Sequence, residues 1–208
     1  VSLPDGTSVM IGVASSLDVA QAFGTSHRDV RLTGAAYFDV VHDDRLPFKV
    51  RTAHGVAEDL GTRFSVRAYE GEPATEVAVA EGEVALGAVE HAGAGQSAAP
   101  VVLRARDVGS LGASGMVALT RNTDVSGHLA WTSGRLVFED APLADVAVEL
   151  SRWYDLDIRI PDEKLAAAPL TAAFKDETAS QTLTFVASAL DAQVHQEGRV
   201  VTLTPRRR

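Results

Sequence analysis

The sequence predicts a mainly β protein in two domains. An all-β domain over residues 1–125, a sandwich or a solenoid-like stack, is followed over 126–208 by a small α+β domain in which a βαβ unit is repeated and two helices lie on one sheet. Three observations predict this. From Val30 to Ala88, short runs alternate apolar and polar residues at period 2 and are punctuated by glycines. After about Ser126 the period turns helical, in two apolar stripes each flanked by strand-like runs. Finally, 208 residues at 46% hydrophobic content suffice to bury a core without disulfide staples.

The elements follow in order. Leu3-Pro4-Asp5-Gly6-Thr7-Ser8-Val9-Met10-Ile11 reads as strand, tight turn, strand, because Asp-Gly supplies the positive φ values of a hairpin turn. The chain opens inside that pattern at Val1-Ser2-Leu3, as a piece cut from a longer chain would. Ser15 to Val19 is a weaker strand, and Phe23 to Arg28 a loop. The central stretch supplies strands at Arg31–Val40, Pro47–Thr52, Leu60–Arg67 and Glu81–Leu86. Gly93 to Pro100 is loop chemistry, Val101 to Arg104 a strand, Gly109 to Gly115 a second glycine-rich loop, and Met116 to Thr120 the last strand of the domain.

In the second part Leu136 to Glu139 is a short strand. Pro142 in a first helical turn then precedes Leu143, Val146, Ala147 and Leu150 at the i, i+3, i+4, i+7 spacing of one helix face. Leu156 to Ile160 alternates as a strand that Pro161 ends. The unit recurs: a strand at Leu170–Phe174, a capping box from Thr178 to Gln181, and a helical stripe of Leu183, Val186, Ala187 and Leu190. Gln193–His195 and Val200–Thr204, turned at Glu197-Gly198, close the chain as a hairpin.

A net charge of −9 argues against a nucleic-acid partner, since neutralising phosphates needs a basic face, and Arg206-Arg207-Arg208 reads as a solvated tail. With no cysteine there is no disulfide, thiolate metal site or thiol nucleophile. The six histidines, at 27, 42, 54, 91, 128 and 195, never stand at the i, i+4 spacing of a helical metal site. His42-Asp43-Asp44 is the closest approach to a ligand cluster, and it reads as a hairpin tip. Glu58, Asp59, Glu81 and Glu83 suit turns and solvent-facing strand positions better than an acid and base pair. There is no Gly-x-Ser-x-Gly elbow and no phosphate loop. No catalytic residue, metal or cofactor is therefore expected. Phe38, Phe48 and Phe64 stand in alternating strands as core. Trp153 and Tyr154 close a helix with side chains about 100° apart, which leaves one of them to meet solvent or a partner. Trp131 stands where the two parts join.

Taken together, Leu3-Pro4-Asp5-Gly6-Thr7, Gly34-Ala35-Ala36-Tyr37-Phe38-Asp39-Val40, Pro47-Phe48-Lys49-Val50, Leu60 to Val66 and Val79-Ala80-Glu81-Gly82-Glu83-Val84 resemble the FecR family of sigma-factor regulators. Trp131 to Leu143 resembles that family's junction with its C-terminal domain. Two departures stand out: Ala105-Arg106-Asp107 where the family usually turns on a glycine, and Ala35 where it often has glutamate. The resemblance implies the periplasmic region of a single-pass inner-membrane protein, its membrane helix and cytoplasmic segment lying outside this chain. The cytoplasmic segment would hold an extracytoplasmic-function sigma factor. The periplasmic region would receive a signal from the signalling domain of a TonB-dependent outer-membrane transducer, typically one serving iron uptake, and the βαβ units would adopt the secretin and TonB short N-terminal fold.

On that reading the expected contact is strand addition along an exposed edge carrying Val200, Thr202 and Thr204, or along an edge of the all-β domain beside Trp131, with Trp153 and Tyr154 as further contacts. The alternative is a carbohydrate- or cell-wall-binding β domain, or a structural lipoprotein.

Overall fold

The computed structural model describes residues 1–59, 61–88 and 99–206; Leu60, His91, most of the loop expected from Gly93 and the last two arginines of the tail lie outside them. Eleven strands come first: β1 (Ser8–Ile11), β2 (Ser16–Val19), β3 (Arg28–Asp39), β4 (Phe48–Arg51), β5 (Gly55–Asp59), β6 (Arg63–Ala68), β7 (Ala74–Glu81), β8 (Glu83–Ala88), β9 (Val101–Arg104), β10 (Val108–Gly112) and β11 (Val117–Thr120). They form one sheet in the order β11-β10-β7-β6-β3-β4-β5-β8-β9, with β1 and β2 both on β3.

The long strand β3 organises that sheet. Its residues 34–39 pair antiparallel with β6, and residues 28–31 pair in parallel with β4, so its two ends serve two halves of the sheet. The halves close on each other over a phenylalanine core. Phe38 lies 5.6 Å from Phe48 of the other half and 5.3 Å from Phe64, and all three are fully buried. Each such side chain contributes about 1.5–3 kcal/mol of hydrophobic stabilisation. The result is a single large sheet folded nearly into a barrel, mainly β as expected. Because β3 and β4 are parallel, His42-Asp43-Asp44 lies on a crossover between the halves and not at a hairpin tip.

The sheet folds where strands pass from one half to the other. Between β7 and β8 stands Gly82 alone, with φ at +84°; a Cβ there would meet the Gly61 carbonyl oxygen at 2.7 Å, so only glycine fits. The bend from β9 to β10 has no glycine. Arg106 takes the left-handed conformation itself (φ +71°), and buried Asp107 holds the turn by accepting the amides of Arg104 and Asn122, each at 3.0 Å. Thus the turn that the resemblance assigns to glycine is kept by a carboxylate.

Gly109 to Gly112, expected as loop, belongs to strand β10. A Cβ at Gly109 would stand 2.8 Å from Leu103, so glycine here lets β10 press against the facing half.

Helix α1 (Ser126–Leu129) and a 3-10 turn (Ala130–Ser133) follow. The chain divides into compact units at 1–132 and 133–208, so residues 126–132, expected to open the second domain, stay with the first. The His128–Glu76 contact at 2.8 Å, which ties this segment to β7, is a physical reason.

The second unit contains β12 (Arg135–Pro142), α2 (Leu143–Tyr154), β13 (Asp157–Arg159), α3 (Glu163–Ala166), β14 (Pro169–Lys175), α4 (Ala179–Ala189), β15 (Ala192–Glu197) and β16 (Val200–Pro205). The two strand-helix-strand units are present and the Thr178–Gln181 capping box forms with both reciprocal bonds. Pro142 ends β12 and caps α2 instead of entering its first turn. The expected single sheet is instead two: β12 pairs with β14, and β13, β16 and β15 form the other. The first strands of the two units pair with each other and the last strands join the terminal hairpin. Helices α2 and α4 each pack on strands of both sheets, around Leu136, Phe138, Leu150, Phe174, Val186 and Leu203.

Candidate interaction surface

In the second unit the free strand edge is not where the sequence puts it. Val200, Thr202 and Thr204 lie on β16, and β16 is the central strand of its sheet. It pairs in parallel with β13 over Val200–Thr202 and antiparallel with β15 from Val200 to Pro205. An edge strand has one neighbour, and Val200 and Thr202 have one on each side. The signal was present in composition. Val-Val-Thr-Leu-Thr carries no charge, as suits a central strand, whereas Gln-Val-His-Gln-Glu on β15 has the polar, charged character that guards an edge.

β15 is that edge. It pairs with β16 alone, and from Gln193 to Glu197 every residue is exposed. Val194, 37% exposed, is its one large apolar side chain. His195 reaches Glu197 at 3.1 Å on the same strand. The outer backbone groups of β15 and the side chains alternating about them are what an added strand would read.

Trp131 belongs to the first unit and sits in the 3-10 turn, half-buried; a Cβ on Gly12 would lie 3.5 Å from its ring. Gly12 follows β1, an edge strand on which Met10 and Ile11 are exposed. Trp153 and Tyr154 end α2, both half-buried against the core of the second unit. The Tyr154 hydroxyl donates to the Glu177 carbonyl at 3.0 Å and meets the Thr182 hydroxyl at 2.8 Å. That pair of bonds makes Tyr154 an internal tie of the second unit.

A buried carboxyl in the first unit is shifted from its ordinary range. Asp59, 2% exposed, ends β5 beside the sheet fold, takes the Gly61 amide on Oδ2 at 2.9 Å and has no partner for Oδ1. Burial raises its pKa, against the opposing pull of Thr62, the Gly61 amide, Arg28 and His42. A carboxyl with a folded-state pKa above its unfolded one takes up a proton on folding. Its stabilising share is therefore complete below the ordinary aspartate value and is lost as pH rises through the raised one. Asp59→Asn should be more stable than the parent at neutral pH, with the gap closing as pH falls; melting temperatures of the two proteins across the acid range check it.

Among the described residues no group of three or more His, Asp or Glu is placed to hold a metal ion, and no helix is long and apolar enough to cross a membrane.

A family model described as FecR protein matches residues 1–85, and one described as FecR, C-terminal, matches residues 135–203. Two crystal structures of a candidate anti-sigma factor from Parabacteroides distasonis, at 1.65 and 2.50 Å resolution, each superpose with a TM-score of 0.83. They are 23% identical, and the match covers 99% of this chain and 93% or 92% of those chains. At that identity the likeness is one of fold. None of the curated proteins matches the chain.

Proposed function

The chain belongs to the FecR family, and we propose that it is the periplasmic, signal-receiving region of an inner-membrane-anchored regulator of an extracytoplasmic-function sigma factor. The observation that carries this reading is the match of both family models, in order, one on each structural unit. The family is one of regulators and not of enzymes. The two solved structures of the same fold are described as those of a candidate anti-sigma factor, in keeping with a sigma factor as the partner at the cytoplasmic end. At the other end the signal would come from the signalling domain of a TonB-dependent outer-membrane transducer, bound by protein-protein contact.

The binding mode proposed is strand addition on β15, in place of the β16 edge that the sequence suggests. Main-chain hydrogen bonds would supply affinity, and the side chains of Gln193 to Glu197 selectivity. Titrating a transducer's signalling domain into this chain should give heat and a shift in elution volume. Val194→Lys should weaken that binding at least about tenfold, since a lysine on an edge strand opposes pairing with a further strand. Met116→Lys, at an exposed turn of the first unit, should leave it unchanged. No heat and no shift with the parent chain, across a panel of such domains, would remove the transducer from the account.

A further inference from the structure

The strand pairings carry a charge pattern with two exceptions, one of which is relieved by neighbouring acids. Wherever antiparallel strands of the first unit set two charged residues opposite each other, they set an acid against a base: Asp18 and Arg31, Asp39 and Arg63, Lys49 and Glu58, Arg63 and Glu81, Arg67 and Glu76, Glu83 and Arg104. The parallel pair β3 and β4 adds Asp29 opposite Lys49 and one like pair, Arg31 and Arg51; there Arg51 is bound by Asp29 at 2.6 Å and Arg31 stands opposite Asp18. In the second unit, Arg135 on β12 lies directly opposite Lys175 on β14. Both are exposed, and neither has a carboxylate within ion-pair distance among the described residues. Like charges set opposite one another on a sheet repel, and this chain has acids in excess with which to relieve them.

The surroundings fit an anionic polypeptide. Opposite residues of an antiparallel pair share a face, and that face alternates along the strand. Leu136 and Phe174 are buried, so Arg135 with Lys175, and Val137 with Ala173, occupy the other face. The result is a pair of cations two residues away from a small apolar step. Beside it lies a shallow depression of about 420 Å³ lined by Arg135, Ala173, Phe174, Lys175 and Glu177. One acid shares that lining: the Glu177 carboxylate is engaged by the backbone amide of Lys175, and neither cation's side chain pairs with it.

The geometry points to a docking site on this face for an extended acidic segment of a partner protein, with a carboxylate between Arg135 and Lys175 and an apolar side chain two residues along over Val137 and Ala173. It is a surface distinct from the β15 edge and does not depend on the transducer reading. Net negative charge repels acidic partners in general, so a local cationic pair would select for register as well as sign.

A fluorescent acetylated peptide of alternating glutamate and valine is the probe, followed by anisotropy with the whole chain. Binding is expected at low salt, with a loss of about tenfold or more at a few hundred millimolar salt as screening sets in. Lys175→Glu and Arg135→Glu should each abolish it. Each also creates an acid opposite a base, so the melting temperature should hold or rise, which separates lost binding from lost folding. A peptide of the same composition with its glutamates and valines in two blocks should bind more weakly. The proposal is overturned if the alternating peptide fails to bind at low salt, if either reversal leaves binding intact, or if the blocked peptide or a single-stranded oligonucleotide binds as well, since the site would then respond to charge alone.

Discussion

Gly34→Ala should cost the first unit about 3–4 kcal/mol, among the larger losses a single methyl group can cause. Gly34 lies where β3 leaves its pairing with β4 and takes up its pairing with β6, and its φ is +99°, a region that a Cβ makes costly. A Cβ there would also stand 2.6 Å from the Ser15 Cβ and 2.7 Å from its Cα, which is backbone and cannot swing aside. Ser15 is itself fixed. Its hydroxyl accepts the Ala35 amide at 2.8 Å and donates to the Val13 carbonyl at 2.9 Å, tying the β1 to β2 crossing into the bend. Relief by moving Ser15 would break both bonds. Ser15→Gly would remove the Cβ and hydroxyl contacts but leave the Cα at 2.7 Å and lose both hydrogen bonds, so the double variant should recover only part of the loss. Urea unfolding followed by Trp131 fluorescence, in a Trp153→Phe background, reports on the first unit alone. A loss under about 1 kcal/mol would show that β3 does not need this bend.

The legible part of the fold was the part written in local patterns. Leu143, Val146, Ala147 and Leu150 share a helical face and all four are buried; Thr178 and Gln181 form the capping box; Glu197-Gly198 turns the last hairpin, with Gly198 at φ +62°. These signals span a few residues and depend on nothing distant. What could not be read was set by long-range pairing. Whether β16 lies at an edge is decided by β13, some forty residues earlier, and nothing in Val200 to Thr204 names that partner. The division of the second unit into two sheets has the same origin, since a strand-helix-strand pattern does not say which strand lies next to which.

Glycine was ambiguous in a different way. In Gly109 to Gly115 it reads as loop chemistry, but Gly109 is in a strand because the opposite half, with Leu103 and Leu86, comes too close for a side chain. A turn glycine and a close-packing glycine look alike in sequence. At the candidate contact surface, composition did carry information: the uncharged run on β16 against the polar run on β15 distinguishes the central strand from an edge. The opposition of Arg135 to Lys175 carried none, because it exists only once the register of β12 on β14 is known.

Arg28→Met should cost the first unit about 3–5 kcal/mol, the toll of leaving a carboxylate inside without its cation. Arg28 is 3% exposed and its partner Asp5 is 10% exposed, at 2.9 Å. The guanidinium donates further to the Leu46 carbonyl at 2.6 Å and the Val41 carbonyl at 2.7 Å, and it lies 5.8 Å from the centre of the Phe48 ring. It thereby joins the Pro4-Asp5-Gly6 turn, the end of β3 and the approach to β4. Asp5 in turn takes the amide and hydroxyl of fully buried Thr7, both at 2.9 Å, and the Thr7 hydroxyl accepts the Val41 amide at 3.2 Å. The Leu-Pro-Asp-Gly-Thr run is therefore more than a hairpin turn: its aspartate is the counter-ion of a buried arginine 23 residues on. Methionine fills much of the arginine's volume, so the loss measures charge and hydrogen bonding more than a cavity. Asp5→Asn alone should cost less, because the arginine keeps two carbonyls. Adding Asp5→Asn to Arg28→Met should recover about 1–3 kcal/mol of the loss, a coupling that a pair acting independently would not show. Strictly additive losses in the double-mutant cycle would mean that Arg28 holds the loops through their carbonyls and that the ion pair with Asp5 is incidental.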